Sequence, residues 1–233
     1  MKEYLYETHL HTAPVSKCAR ATVRETLAFY KSLGYAGVFI TNHFLNGNIN
    51  CDRSLPYEEK IEFYFSDYEE GARLAEEIGI SVFLGVEQSY GGTDFLIYGL
   101  DKAWYLAHPE AMEMDINSRL TFMAEEGALI IQAHPYREAS YIECIRLFPR
   151  VVHGAEIFNA NQPDYRNNMT EIYVKQYELI PFAGSDNHLA SGQKLLGGME
   201  ADSPVRDVAD FIERVKNGEM KPFRRDRDSF FDQ

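Results

Sequence analysis

A chain of 233 residues, 45% hydrophobic and 25% charged, has room for one large α/β domain or two small ones. Its formal net charge of −13 argues against broad affinity for nucleic acid or anionic membranes, because neutralising phosphates takes a basic surface. No run approaches the roughly 18 apolar residues that span a bilayer, and Glu3 and Glu7 interrupt any amino-terminal signal segment, so a cytoplasmic protein is expected.

The first element is the strand "YLYETHLH", in which His9 and His11 stand two apart and therefore on one face. "RATVRETLAFYKSLG" follows with Val23, Leu27, Tyr30 and Leu33 at helical spacing and Gly34 as a C-terminal cap. "AGVFIT" is a short apolar run, the pattern of a strand buried on both faces. A polar loop comes next, a functional loop or lid by its length, with residues 44–65 expected to set substrate size. The helix "SDYEEGARLAEEIG" is expected to start at Ser66, with Glu69 completing a capping box.

"ISVFLGVEQS" reads as one buried strand and "DFLIYGL" as its antiparallel neighbour across a short turn. A helical region around 108–126 leads into the strand "ALIIQAHP" and a helix around 139–148. The strand "GAEIFNA", a helix around 167–178, the strand "IPFAGSDNH" and the helix "SPVRDVADFIERVKNG" complete the series. The final "KPFRRDRDSF" reads as a solvated tail. About seven strands alternating with helices, undivided by a linker, point to an α/β fold with a largely parallel sheet. A single domain over 1–233, built as a closed or nearly closed barrel, is expected.

Nearly every unusual polar residue falls at the carboxyl end of an expected strand. His9 and His11 end the first; Asn42 and His43 the second; Glu87, His134, Asp186 and His188 end later ones; Glu156 and Asn159 lie in "AEIFN". Barrel enzymes build active sites on that rim. Buried imidazoles and carboxylates gathered there need compensation, and divalent metal ions provide it. His9, His11, His43, Glu87, His134, Asp186 and His188 are therefore the candidate metal ligands. His108 and His153 lie outside the pattern and read as structural. The cysteines Cys18, Cys51 and Cys144 are scattered without C-x-x-C spacing, and only Cys18 lies near one of these motifs.

The ordered set H-x-H (His9, His11), T-N-H (His43), G-V-E (Glu87), A-H-P (His134) and S-D-N-H (Asp186, His188) resembles the PHP superfamily, the polymerase-and-histidinol-phosphatase group of metal-dependent phosphoesterases. The resemblance implies a distorted (β/α)7 TIM-like barrel and two to three divalent ions, Zn, Mn or Fe. It implies that His9, His11, Glu87 and Asp186 hold a first ion, that Glu87 bridges to a second shared with His134, and that His43 and His188 contribute to a third. The chain departs from the family in three places. Ser16 and Lys17 stand where an Asp or His ligand is usual, Asn42 replaces an acid, and "TDFLIYG" lacks a histidine, leaving Asp94 as the nearest candidate.

Such a site suits phosphate ester hydrolysis, with metal ions neutralising the phosphate and activating water. His43, His188 and Asp186 are the expected catalytic residues, either histidine protonating the leaving group. Lys17, Arg20 and Arg137 are candidates for gripping the non-reacting phosphate oxygens. A small phosphorylated substrate is expected, with no strong nucleic-acid affinity and no membrane partner. The leading reading is hydrolysis of a phosphomonoester, histidinol-phosphate-like or nucleotide-derived. The alternatives are a phosphodiesterase or 3′–5′ exonuclease, with Phe44, Tyr57, Phe63, Tyr64 and Phe65 stacking on bases, and a non-catalytic metal-binding interaction domain.

Overall fold

The computed structural model describes residues 3–231. In chain order the elements are β1 (Tyr4–Leu10), α1 (Val23–Ser32), β2 (Gly37–Ile40), α2 (Tyr57–Ile78), β3 (Ser81–Leu84), β4 (Val86–Tyr90) and β5 (Thr93–Tyr98). Then come α3 (Lys102–Ala107), α4 (Ile116–Glu125), β6 (Leu129–Ala133), β7 (Gly154–Asn159), α5 (Asp164–Tyr177), β8 (Ile180–Gly184), β9 (Leu195–Ala201), α6 (Val208–Lys216) and β10 (Lys221–Asp226). Among the described residues no helix is long and apolar enough to cross a membrane.

The strands form two five-stranded sheets, ordered β10-β9-β1-β2-β3 and β4-β5-β6-β7-β8, and this corrects the expected (β/α)7 barrel. Only β1–β2, β2–β3, β6–β7 and β7–β8 pair in parallel, while β1–β9, β9–β10, β4–β5 and β5–β6 are antiparallel. A parallel barrel needs a crossover between every neighbouring pair of strands. Here "YGGT" folds β4 back on β5 as a hairpin, and β9 returns alongside β1. The run "ISVFLGVEQS" is two strands, not one. Gly85 breaks it, where a Cβ would lie 2.6 Å from Thr41, and the chain passes from β3 at the edge of the first sheet to β4 at the edge of the second.

Three further expectations are corrected. The helix expected from Ser66 begins nearly three turns earlier, after Pro56, so Ser66 is interior and its hydroxyl donates to the Phe63 carbonyl at 2.7 Å. Residues 57–65 of the expected loop or lid, 44–65, are thus regular helix. Phe44, Tyr64 and Phe65 are buried in a core cluster with Ile61 and Tyr105, with Tyr57 and Phe63 packed against it, so these aromatics offer no base-stacking platform. Residues 139–148 form no helix. Their backbone instead uses the Gln132 side chain, which donates to the Arg146 carbonyl at 2.7 Å and accepts from Phe148 N at 3.2 Å. The carboxyl-terminal "tail" is mostly β10, paired to β9 from Lys221 to Asp226 with Phe223 buried.

The sheets face each other across an apolar layer containing Tyr6, Phe39 and Phe83 from one and Leu96, Tyr98, Ile131 and Phe182 from the other, with Phe211 of α6 inserted between them. Hydrogen bonds tie the layers directly: Thr8 Oγ1 donates to the Ala183 carbonyl at 2.5 Å, and Tyr98 OH donates to the Thr8 carbonyl at 2.7 Å. The carboxyl ends of β1 and β8 therefore meet, and isolated bridges join Leu10 to Asn187 and His43 to Glu87.

Helix α6 is anchored by the buried carboxylate of Asp210, which accepts from Arg206 N at 3.0 Å, Arg206 Nη2 at 2.9 Å and Arg214 Nε at 3.1 Å. The hydrogen bonds from Arg206 hold its pKa down at about 2. A carboxyl group depressed by folding contributes stability above its ordinary pKa and loses it as pH falls through the folded value. Asp210→Asn is expected to cost about 1–2 kcal/mol at neutral pH, discounted because Arg206 is largely exposed. In urea melts the gap between wild type and variant should narrow from about pH 4 down to about pH 2. A gap unchanged across that window would contradict this role.

Candidate metal centre

Seven residues expected as ligands converge at the strand ends. His9 lies within β1 and His11 just beyond it; Glu87 is in β4; His43, His134, Asp186 and His188 follow β2, β6 and β8. Their donor atoms fall into three groups, each within 4.8 Å: His9, His11 and Asp186; His9, Glu87 and His134; His11, His43 and His188. Glu87 stands at the centre. Oε1 is 3.2 Å from His9 Nε2 and 3.3 Å from His134 Nε2, while Oε2 is 2.5 Å from His43 Nδ1 and 3.5 Å from His11 Nε2. His9 Nε2 and His11 Nε2 are 3.3 Å apart.

The surrounding hydrogen bonds fix which nitrogens are bare. Ser16 Oγ gives its one proton to Asn42 Oδ1 at 2.8 Å, so His11 Nδ1, 3.2 Å away, must donate to it, and His11 Nε2 keeps a lone pair. The Nδ1 of His9 sits 2.8 Å from Glu156 Oε1 and donates there, again leaving Nε2 bare. His188 Nδ1 donates to the Asp186 carbonyl at 2.7 Å. Lone pairs of imidazoles and carboxylates thus face one another, and Glu87 Oε2 and His43 Nδ1, 2.5 Å apart, are each without a hydrogen bond of proper geometry. Such a set calls for shared cations, protons or metal ions, and its nitrogen and oxygen donors suit a divalent transition metal.

The ionisation of the cluster reflects this crowding. Burial opposes charge on His9, but the carboxylates of Glu156, Asp186 and Glu87 overcome it and hold the imidazole well above its ordinary range, so that without an ion a proton takes the Nε2 lone pair. Burial, with the neighbouring charges of His188 and His43, drives His11 well below its ordinary range. Against the desolvation that would raise them, Glu87 is held well below the carboxylate range by His43 and His9, and Asp186 by His9 and its hydrogen bond with His11.

The framework is as specific as the cluster. Glu156, wholly buried, accepts from His9 Nδ1, from His134 N at 3.0 Å and from Asn159 Nδ2 at 3.0 Å, and Asn159 also reaches Asp186 Oδ2 at 3.3 Å. Glu7 accepts backbone N–H groups of Thr8, His9 and Ser185 on one oxygen and the Tyr30 hydroxyl on the other, pinning β1 to the end of β8. Gly184 lets those strands touch, since a Cβ there would lie 2.5 Å from His9 Cβ and 2.7 Å from Glu156 Oε1. Two cluster residues occupy left-handed backbone, His134 at φ 27° and Asp186 at φ 54°, a cost of order 1 kcal/mol or more each that recurs at functional sites. Glu156 and Asn159 were visible at a strand end; Glu7 carried no signal beyond being an acid in an apolar strand.

The departures from the family pattern find structural reasons. Asn42 Oδ1 accepts from Thr12 N at 2.7 Å, and its amide donates to Asp67 Oδ2 at 3.0 Å. An acid in its place would set two buried carboxylates against each other. Asp94 is buried 3.9 Å from His134 Nε2 and accepts from Arg137 Nη1 at 3.3 Å, at the edge of the cluster. His108 stacks on Trp104, and His153 accepts from Ile130 N at 3.1 Å, both away from the cluster.

A cavity of about 800 Å³ opens over the centre, lined among others by His43, Glu87, His134, Asp186, His188 and Arg137. Arg137 is the expected phosphate-gripping residue that reaches it. Lys17 and Arg20 are exposed and are not part of its lining.

No protein-family profile matches the sequence, and no curated protein does. Solved structures do share the fold. A two-domain protein from Bacteroides vulgatus containing a predicted PHP-like metal-dependent phosphoesterase superposes with a TM-score of 0.68 at 13% identity, over 95% of this chain. The chain spans 65% of that protein's length. A proposed metal-dependent phosphoesterase from Bifidobacterium adolescentis gives 0.50 at 14% identity, over 79% of this chain and 88% of its own. An amidohydrolase from Chromobacterium violaceum, solved with sulfate and no metal, gives 0.55 at 14% identity, covering 90% and 96%. These likenesses, all at 13–14% identity, show that the chain shares the fold of these structures.

Proposed function

We propose that this chain, with the fold of the PHP-like phosphoesterases and their ordered histidine and carboxylate motifs, is a metal-dependent hydrolase of small phosphomonoesters. The observation that carries the reading is the convergence of bare lone pairs on Glu87 at the floor of an open cavity. His9, His11 and Asp186 would hold one ion, and Glu87 and His134 offer donors for another. Bound there, divalent ions neutralise phosphate charge and lower the pKa of water.

The chain's own residues supply orientation. Arg137, anchored by Asp94 and by Tyr141 OH at 2.6 Å, presents its guanidinium to the cavity, where it can hold non-reacting phosphate oxygens. One arginine in a cavity of about 800 Å³ suits a single phosphate group. An overall charge of −13 and aromatics committed to the core argue against a long polyanion.

The test is turnover of p-nitrophenyl phosphate beside bis(p-nitrophenyl) phosphate by metal-loaded protein. The monoester should be preferred, and Arg137→Gln should raise its KM by about 10–100-fold, the value of a charge-assisted hydrogen-bond pair. Preference for the diester would move the reading to a phosphodiesterase. Stoichiometric metal without turnover of either ester would favour the non-catalytic binding domain.

A further inference from the structure

At about 800 Å³ the cavity has the volume of a pocket for a whole small molecule, so its outer wall meets the alcohol half of the ester. Among the described residues that line it, charge is confined to the centre itself and to the Asp94–Arg137 pair, whose Oδ2 and Nη1 are 3.3 Å apart. The rest of the wall is uncharged and comes from separate loops: Asn48 after β2, Tyr141 after β6 and Gln162 after β7. Tyr141 is placed by the phosphate grip itself. Arg137 Nη2 donates to its hydroxyl at 2.6 Å, and the guanidinium carbon lies 5.7 Å from its ring centroid, while the side chain stays 64% exposed. The ring therefore stands where the alcohol of a phosphate held by Arg137 emerges. All three side chains keep hydrogen-bonding capacity. The Tyr141 hydroxyl accepts from Arg137 and has its own proton to give. Gln162 commits its oxygen to Arg166 Nη1 at 3.1 Å and keeps its NH2, and the Asn48 side-chain amide has no partner among the described residues. Asn46 and Asn161, by contrast, commit both ends of their amides, the first to Ser89 and the second to Asp186 and Gln193.

We infer that the alcohol half of the substrate is an uncharged, hydroxyl-bearing ring, which makes the substrate class sugar monophosphates. The inference rests on the phosphomonoester reading above and narrows it. Uncommitted donors and acceptors on three loops match hydroxyls spread around a ring, and the exposed Tyr141 face covers the ring's C–H side. A second phosphate or a carboxylate on the alcohol would lie against Glu87, Asp94 and Asp186, with no basic side chain on the wall beyond the one already gripping the ester. An ammonium group would lose hydration without a carboxylate of its own, because Asp94 is held by Arg137 and Asp186 by His11. Both kinds of charged alcohol are disfavoured. The wall thus favours a sugar over the amino alcohol of a histidinol-phosphate-like ester.

The test is kcat/KM of the metal-loaded full chain for glucose 6-phosphate and ribose 5-phosphate beside two charged analogues, glucosamine 6-phosphate and glucose 1,6-bisphosphate. p-Nitrophenyl phosphate serves as the reference. The better of the two neutral sugar esters should exceed each charged analogue by about 10-fold or more. Gln162→Leu and Asn48→Leu, each removing a hydrogen bond to the alcohol, should lower the ratio of sugar-ester to p-nitrophenyl phosphate kcat/KM by about 3–10-fold. A charged analogue turned over as well as the neutral esters, or a ratio that neither substitution moves, would overturn the inference. Turnover of p-nitrophenyl phosphate with no sugar ester accepted would overturn it too, and leave the phosphomonoesterase reading standing. No turnover of any of these esters would overturn both. The wild-type series decides even where a substituted chain fails to fold.

Discussion

Glu87→Gln is expected to lower kcat/KM toward a phosphomonoester by well over the roughly 100-fold that losing an outer metal partner costs. The residue is wholly buried, and its two oxygens stand between four histidines, at 3.2 Å from His9, 3.3 Å from His134, 3.5 Å from His11 and 2.5 Å from His43. Glutamine keeps the volume and can donate hydrogen bonds to bare imidazole nitrogens, so the metal-free chain should still fold. What it removes is the negative charge that joins the donor groups. Metal addition stabilises a binding protein by about 2.7 kcal/mol at a hundredfold excess over Kd, and that gain should shrink in the variant. Full activity with an undiminished melting shift on metal addition would rule out a central role for this carboxylate.

The second large effect is expected at a residue that touches no ion. Glu156 accepts three donors, from His9 Nδ1, His134 N and Asn159 Nδ2. In Glu156→Gln the amide satisfies all of them only if its oxygen serves His134 and Asn159 and its NH2 faces His9. His9 must then accept at Nδ1 and carry its proton on Nε2, the nitrogen turned toward Glu87 and Asp186. Metal affinity should fall by about 10–100-fold while metal-free stability changes by about 1 kcal/mol or less. Nitrogen-15 spectra of the imidazole should report the tautomer switch. A stability loss of several kcal/mol with unchanged affinity and tautomer would make Glu156 a structural residue only.

The site was more legible in the sequence than the fold around it. Histidines and acids that end apolar runs are visible because strands deliver their last residues to one rim, whether or not the sheet closes. The barrel expectation failed at segments whose pairing depends on distant chain. "LLGGMEA", with its paired glycines, carries no strand pattern, yet Gly198 is where β9 lies closest to β1, with a Cβ there 2.1 Å from the Tyr6 carbonyl. The basic run at 221–226 looks solvated, but its alternation buries Phe223 and pairs every residue with β9. Helix α2 could have been read earlier, since Pro56 precedes Tyr57, Ile61, Tyr64 and Tyr68 at helical spacing. The aromatic content of 57–65 hid it as a loop.

Residues that act through others left the weakest trace. Glu7 and Asp67 are acids in sequence and hydrogen-bond hubs in space, and nothing local distinguishes the two states. The exchange of an acid for Asn42 looked like a lost ligand. It is a response to Asp67, which lies 25 residues away in the chain and 3.0 Å from the Asn42 amide.

Metal content per chain, read by elemental mass spectrometry on protein purified without chelators, tests the central claim most directly, with Glu87→Gln measured beside the wild type. The convergence of donors on Glu87 predicts roughly two or more equivalents of zinc, manganese or iron in the wild type and a clear deficit in the variant. Less than about half an equivalent, unchanged after incubation with those ions and equal in the two proteins, would contradict it.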